Sequence, residues 1–258
     1  MVRVRPMTSI IGSEIIGSEI RLSSSASVMI MAVSFRLMLL AAIAVAFLGC
    51  GSTQPAAESS VSQPVAPKPA VLKEDTRPVI AAFGDSLSAG LGVEPGKSYP
   101  DDLQRLIDAA GFRYQVVNLG VSGDTTSDGV ERLPSVLALH PAIVILEFGG
   151  NDGLRGLPVT AARQNLADMI EAIQTSGAQT LLAGMSLPRN YGPEYIHSFE
   201  QMYVELAKQY KVQRIPFFLE GVGGHPDLTQ ADGIHPTTEG TRIVAGTVMK
   251  YLRPLLRQ

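Results

Sequence analysis

The chain has 258 residues and a formal net charge of −3, so no basic footprint argues for nucleic acid. It has no tryptophan and few other aromatics, which leaves little with which to stack bases. Its single cysteine, Cys50, excludes an internal disulfide and a cysteine-built metal site, and the length suits one domain with appendages.

Residues 1–30 hold a near repeat, Ile11–Ile15 and Ile16–Ile20, without a core pattern, and translation is expected to start at Met29 or Met31. Arg36 then precedes an apolar run from Leu37 to Leu48. The run is too short to span a bilayer comfortably and follows a basic residue, so it reads as a secretory signal. It ends in Phe47-Leu-Gly-Cys50, which resembles a bacterial lipoprotein cleavage site and implies lipidation of Cys50. The alternative is an ordinary signal peptide, a chance cysteine and a secreted protein. Residues 51–77 are rich in Ser, Pro, Ala and Gln and cannot bury enough apolar surface to offset their ordering entropy, so a disordered tether is expected. The folded domain is then 78–258, about 180 residues.

Within it, strand and helix patterns alternate. Val79–Phe83 is a short apolar strand that stops at the turn-forming Gly84-Asp-Ser86. Ser98 caps a helix with Pro100 and two acids in its first turn, Leu103, Leu106 and Ile107 on its apolar face, and Gly111 at its end. Tyr114–Asn118 is the second strand, and 125–139 is a helix expected to break near Pro134. Ala142–Phe148, apolar apart from Glu147, is a strand for the centre of a parallel sheet. Helices follow over 160–176, 193–210 and 236–252, and strands over 178–185 and 212–215. Repeated strand–helix units of this kind imply an α/β fold, with a parallel sheet covered on both faces by right-handed crossovers.

Four clusters fall at or just beyond strand ends: Gly84-Asp-Ser86, Ser122-Gly-Asp-Thr125, Gly149-Gly-Asn-Asp152 and Asp232-Gly-Ile-His235. Each alone is most often a turn or loop; together, in this order on an alternating sheet, they supply what acyl transfer needs. Ser86 is the candidate nucleophile, His235 its base, and Asp232, three residues earlier, the group that orients the imidazole. The backbone N–H groups of Ser86 and Gly123 and the side-chain amide of Asn151 are the candidate oxyanion donors. Asp85 is read as setting the nucleophile turn, Asp124 and Thr125 as helix caps, and Asp152 as a loop or helix-start residue. His140, His197 and His225 are read as surface or packing residues, and Met185 and Met202 as core.

These blocks resemble those of the SGNH hydrolases, also called the GDSL esterase/lipase family, and Gly84-Asp-Ser-Leu87 is the motif that names it. Gly84–Gly90, Gly149–Gly156 and Leu187–Gly192 look like the subgroup of multifunctional acyl-CoA thioesterase I, lysophospholipase and arylesterase. The resemblance implies a three-layer α/β/α sandwich with a five-stranded parallel, flavodoxin-like sheet. It carries the catalytic and oxyanion roles onto Ser86, Gly123, Asn151, Asp232 and His235, with no cofactor and no metal. It also implies that the loop from Gly153 to Pro158 covers the acyl chain, so that Gly153 and Leu154 meet substrate. The two glycines of that loop fit a moving lid and a rigid connection equally. Leu187 and Pro188 fit either the acyl pocket or the core.

The expected activity is a serine esterase acting on acyl esters, lysolipids or thioesters through an acyl-enzyme. The alternatives are a carbohydrate or peptidoglycan O-acetylesterase and a non-catalytic surface-tethered binding module. The expected partners are a small-molecule ester or lysolipid and, through the lipid anchor, a membrane; the protein is expected to be monomeric and not to bind nucleic acid. The expected location is extracytoplasmic. Because Gly51 rather than an inner-membrane retention aspartate follows Cys50, the outer membrane is favoured if the organism is Gram-negative.

Overall fold

The computed structural model describes residues 75–258; the leader, Cys50 and all but the last residues of the tether lie outside that range. Five strands form one parallel sheet: β1 (Val79–Gly84), β2 (Gln115–Asn118), β3 (Ile143–Glu147), β4 (Gln179–Ala183) and β5 (Gln213–Ile215). Their spatial order is β2-β1-β3-β4-β5, every neighbouring pair parallel. The chain winds outward from β1 to β2, then crosses back over β1 to begin β3. That reversal between β1 and β3 is the topological switch point, where doubly wound sheets open a crevice beyond the carboxyl ends of the strands.

Helices α2 (Tyr99–Ala109) and α7 (Thr238–Leu252) pack together on one face, and α3 (Thr126–Leu137), α5 (Val159–Thr175) and α6 (Pro193–Tyr210) line up on the other. The sandwich is thus the three-layer α/β/α architecture. All five residues of β3 are buried, as are the inner residues of β1 and β4, which is why these strands read as continuous apolar runs. The helices bury a stripe instead: Leu103 and Ile107 from α2, Leu166, Ile170 and Ile173 from α5, Phe199, Met202, Tyr203 and Leu206 from α6.

Local chemistry sets the ends of these elements. At α2, Ser98 and Asp101 form a reciprocal capping box and Pro100 enters in the first turn. At α3 the cap is Thr125, whose partner is Asp128. Asp124, read as a second cap, instead pairs with Arg132 at 2.6 Å. Two expectations shift. Helix α3 runs through Pro134 without a break, because burial of Leu133 and Val136 on both sides of the proline outweighs one lost backbone bond. Helix α7 starts at Thr238, two residues late, because Pro236 is bridged antiparallel to Thr229.

Two short helices were not legible in the sequence. α1 (Ser86–Ala89) begins at the serine itself, and α4 (Gly150–Leu154) carries Asn151. Both follow the two central strands across the switch point. The core beneath them is aromatic, with Phe83 at the end of β1 and Phe148 just after β3 meeting edge to face at 4.7 Å. Phe148 is fully buried. Phe148→Ala is expected to cost about 3–5 kcal/mol, read as a lower urea midpoint with far-ultraviolet circular dichroism retained.

Candidate active site

Ser86 is the first residue of α1, capped by Asp85, whose Oδ1 accepts the Leu87 N–H at 3.0 Å. The turn from strand to helix holds the Ser86 side chain at the edge of the crevice, 8 % exposed. His235 comes from the loop between β5 and α7. Its Nε2 lies 2.8 Å from Ser86 Oγ, although 149 residues separate the two along the chain. Its Nδ1 lies 2.6 Å from Asp232 Oδ2. The second Asp232 oxygen accepts the backbone N–H groups of Ile234 and His235 at 2.9 and 3.0 Å. A carboxylate saturated in this way is fixed in place and keeps the Nδ1 proton on the ring, leaving Nε2 free to face the serine. Burial opposes its ionisation, but the bonds from the His235 ring and the two backbone N–H groups prevail and hold its pKa below the ordinary value.

The loop carrying Asp232 and His235 is itself held. The Gln230 N–H donates to the His235 carbonyl at 2.7 Å, and the Gln230 side-chain amide donates to the carbonyls of Pro236 and of Leu91, just beyond α1. Gln230 therefore ties the base to the nucleophile segment. Its amide looks like any loop glutamine in the sequence, so nothing there marks it.

The candidate oxyanion donors come from three segments. The first residue of a helix has no intrahelical partner for its N–H, which leaves that of Ser86 free to donate into the crevice. Gly123 has a φ of 91°, a conformation that favours glycine, and its carbonyl accepts from Arg155 Nη2 at 2.8 Å. The Asn151 side-chain amide donates to the Asp124 carbonyl at 2.9 Å and to Asp85 Oδ2 at 3.2 Å. Arg132 braces this side of the crevice. Its guanidinium binds Asp124, donates to the carbonyls of Leu119 and Gly84, and lies over the Phe83 ring at 4.8 Å. Asp152 proves to be a buried tie: its carboxylate accepts the Thr126 N–H and hydroxyl, joining α4 to the start of α3.

A cavity of about 440 Å³ adjoins these groups. Its wall includes Leu87, Gly150 and Ile234, the chain neighbours of Ser86, Asn151 and His235. It is largely apolar, with Leu154, Leu187, Pro188 and Phe217 among its lining. Met185 also faces it rather than serving only as core. Gly153 does not line it. That residue sits inside α4 beneath Leu187, where even a Cβ would press on the leucine methyls. The segment expected to be a loop from Gly153 begins as helix, which turned the glycine inward.

A profile of the GDSL-like lipase/acylhydrolase family matches residues 82–243. The chain belongs to that family. It is 46 % identical over 178 residues to the esterase TesA of Pseudomonas aeruginosa, covering 69 % of this chain and 89 % of that one. It is 39 % identical over 175 residues to thioesterase 1/protease 1/lysophospholipase L1 of Escherichia coli K12, covering 67 % and 83 %. A crystal structure of TesA superposes with a TM-score of 0.67 at 45 % identity, over 69 % of this chain and 99 % of that one. As a GDSL-family member this protein is a carboxylic ester hydrolase of the serine type.

Burial lifts the Asp85 carboxyl from 3.8 to about 6, against the opposing pull of the Leu87 N–H and of His235. The folded protein therefore binds more protons than the unfolded chain between those values. The group's contribution to stability is most favourable below its unfolded pKa and is lost as pH rises through about 6. Asp85→Asn should accordingly gain on the wild type between pH 4 and pH 7, measured as the difference in urea midpoints across that range.

Proposed function

We propose that this GDSL hydrolase cleaves esters of medium or longer acyl chains through an acyl-enzyme on Ser86. The observation that carries the reading is the apolar cavity beside Ser86 and His235. In this scheme His235 removes the Ser86 proton as Oγ attacks the acyl carbonyl, and Asp232 stabilises the imidazolium that results. The tetrahedral oxyanion is met by the N–H groups of Ser86 and Gly123 and by the Asn151 amide. The longer of the two Asn151 bonds, to Asp85, is the one exchanged for the oxyanion. His235 then protonates the leaving group, and a water molecule, activated by the same imidazole, hydrolyses the acyl-enzyme.

The acyl chain is assigned to the cavity, against Leu154, Leu187 and Pro188. Each methylene moved from water into such a site gains about 0.8 kcal/mol, roughly fourfold in kcat/KM while room remains. Activity on p-nitrophenyl esters should therefore climb from acetyl through butyryl to hexanoyl. An acetyl ester turned over fastest would favour the O-acetylesterase instead.

Ser86→Ala and His235→Ala should each lower kcat by about a thousandfold or more, with the fold kept, because members of such a triad act as a unit. Asn151→Ala should lower kcat by about a hundredfold. Unchanged turnover in Asn151→Ala would remove it from the oxyanion site.

The leader supports an extracytoplasmic location, with Cys50 lipidated and residues 51–77 tethering the hydrolase domain to a membrane. Exogenous esters such as lysolipids fit that location better than intracellular thioesters. Cys50→Ser should move the protein from the membrane fraction to the soluble one; wild type found in the soluble fraction would favour secretion.

A further inference from the structure

Glu147 ends the middle strand of the sheet, fully buried after four apolar residues. A carboxyl there is costly, since a leucine would fill the same strand position without desolvating a polar group. Its contacts give it a place in the site. Oε2 accepts the backbone N–H of Asp85 at 3.2 Å, the backbone N–H of Ser88 at 3.2 Å and the Ser88 hydroxyl at 2.8 Å. These donors bracket Ser86 on both sides. Oε1 is buried and has no partner among the described residues.

The opposite strand leaves room for this carboxyl. Gly84 is the register partner of Glu147 across β1 and β3, and a Cβ on Gly84 would collide with Glu147 Oε2 and with Ser88 Oγ. The glycine of the Gly-Asp-Ser turn is thus a space for the acid. Asp85, whose N–H the acid holds, in turn carries bonds to Leu87 and to Asn151 through its side chain.

We propose that Glu147 is a positioning residue for the reaction, clamping the backbone on both sides of Ser86 so that Oγ stays aligned with His235. The proposal rests on the reading of Ser86 as nucleophile. Burial and the neighbouring Asp85 carboxyl push the Glu147 pKa well above its ordinary value; what the clamp uses is the acceptor oxygen Oε2, which takes all three bonds. A glutamine can copy that acceptor. A leucine cannot, and an aspartate withdraws it by one methylene.

The test compares the full chain with Glu147→Leu, Glu147→Asp and Glu147→Gln on p-nitrophenyl butyrate, alongside Ser86→Ala and urea melts. Misalignment of reacting groups by an ångström costs about a hundredfold. Glu147→Leu should lower kcat by about that factor with KM within about threefold, and Glu147→Asp should lower kcat by about tenfold. Glu147→Gln should keep kcat within about threefold of the wild type, above that of Glu147→Asp. Wild-type kcat in a folded Leu or Asp variant, losses confined to KM, or a Gln variant as slow as Leu would each overturn the proposal. If Glu147→Leu does not fold, the Asp and Gln variants decide: kcat higher in Gln than in Asp supports the role, and equal values overturn it. Activity surviving in Ser86→Ala would instead overturn the nucleophile reading, independently of Glu147.

Discussion

The 2.8 Å contact between Ser86 Oγ and His235 Nε2 is the constraint that the rest of the molecule serves. Its two ends come from the first strand and from the last loop, so it exists only when the whole sheet has been wound. Loop closure over so many residues costs little more entropy than closure over a few dozen, because the cost grows only logarithmically. The harder requirement is precision, and the sheet supplies it. Parallel strands in fixed register deliver Ser86 beyond β1 and Asn151 beyond β3, side by side at the switch point. Gln230 then fastens the incoming His235 loop to the segment after α1.

Around that contact the protein keeps an unusual amount of buried polarity. Asp85, Glu147 and Asp152 are all buried at the carboxyl end of the sheet, and Arg132 braces the same end. None is isolated: each binds backbone groups at the end of β1 or in the segments that follow β1 and β2. The first N–H groups of α1 and α3 have no partner within their own helices. The buried side chains provide those partners and so make the crevice rigid. The cavity beside them is largely apolar, so polar groups and apolar walls occupy separate parts of the crevice.

Much of the fold is visible in the residues because its signals are local. Ala142–Phe148 reads as a central strand because it is apolar apart from Glu147, α2 reads as a helix from its capping serine, early proline and periodic Leu103, Leu106 and Ile107, and the alternation of the two kinds of element implies a parallel sheet. What escaped is where tertiary packing overrides local preference. Pro134 does not break α3, because the helix is held by its buried face. Gly153 faces Leu187 and Phe199 rather than the cavity, because α4 begins earlier than the glycine-rich sequence suggests.

The sequence by itself determined the chemistry on offer: a serine in a tight turn after a strand, a histidine three residues beyond an aspartate, and glycine and asparagine at two further strand ends. Residue type and spacing carry that information, since they limit which groups can donate, accept or attack. Tertiary structure alone decided which of the remaining polar residues belong with them. Glu147 reaches Asp85 and Ser88, Gln230 reaches Leu91 and Arg132 reaches Gly84 across dozens of residues of intervening chain, and such contacts leave no periodic or local mark. A buried glutamate on a strand reads as an exception to an apolar pattern until the fold sets it against the backbone on both sides of Ser86.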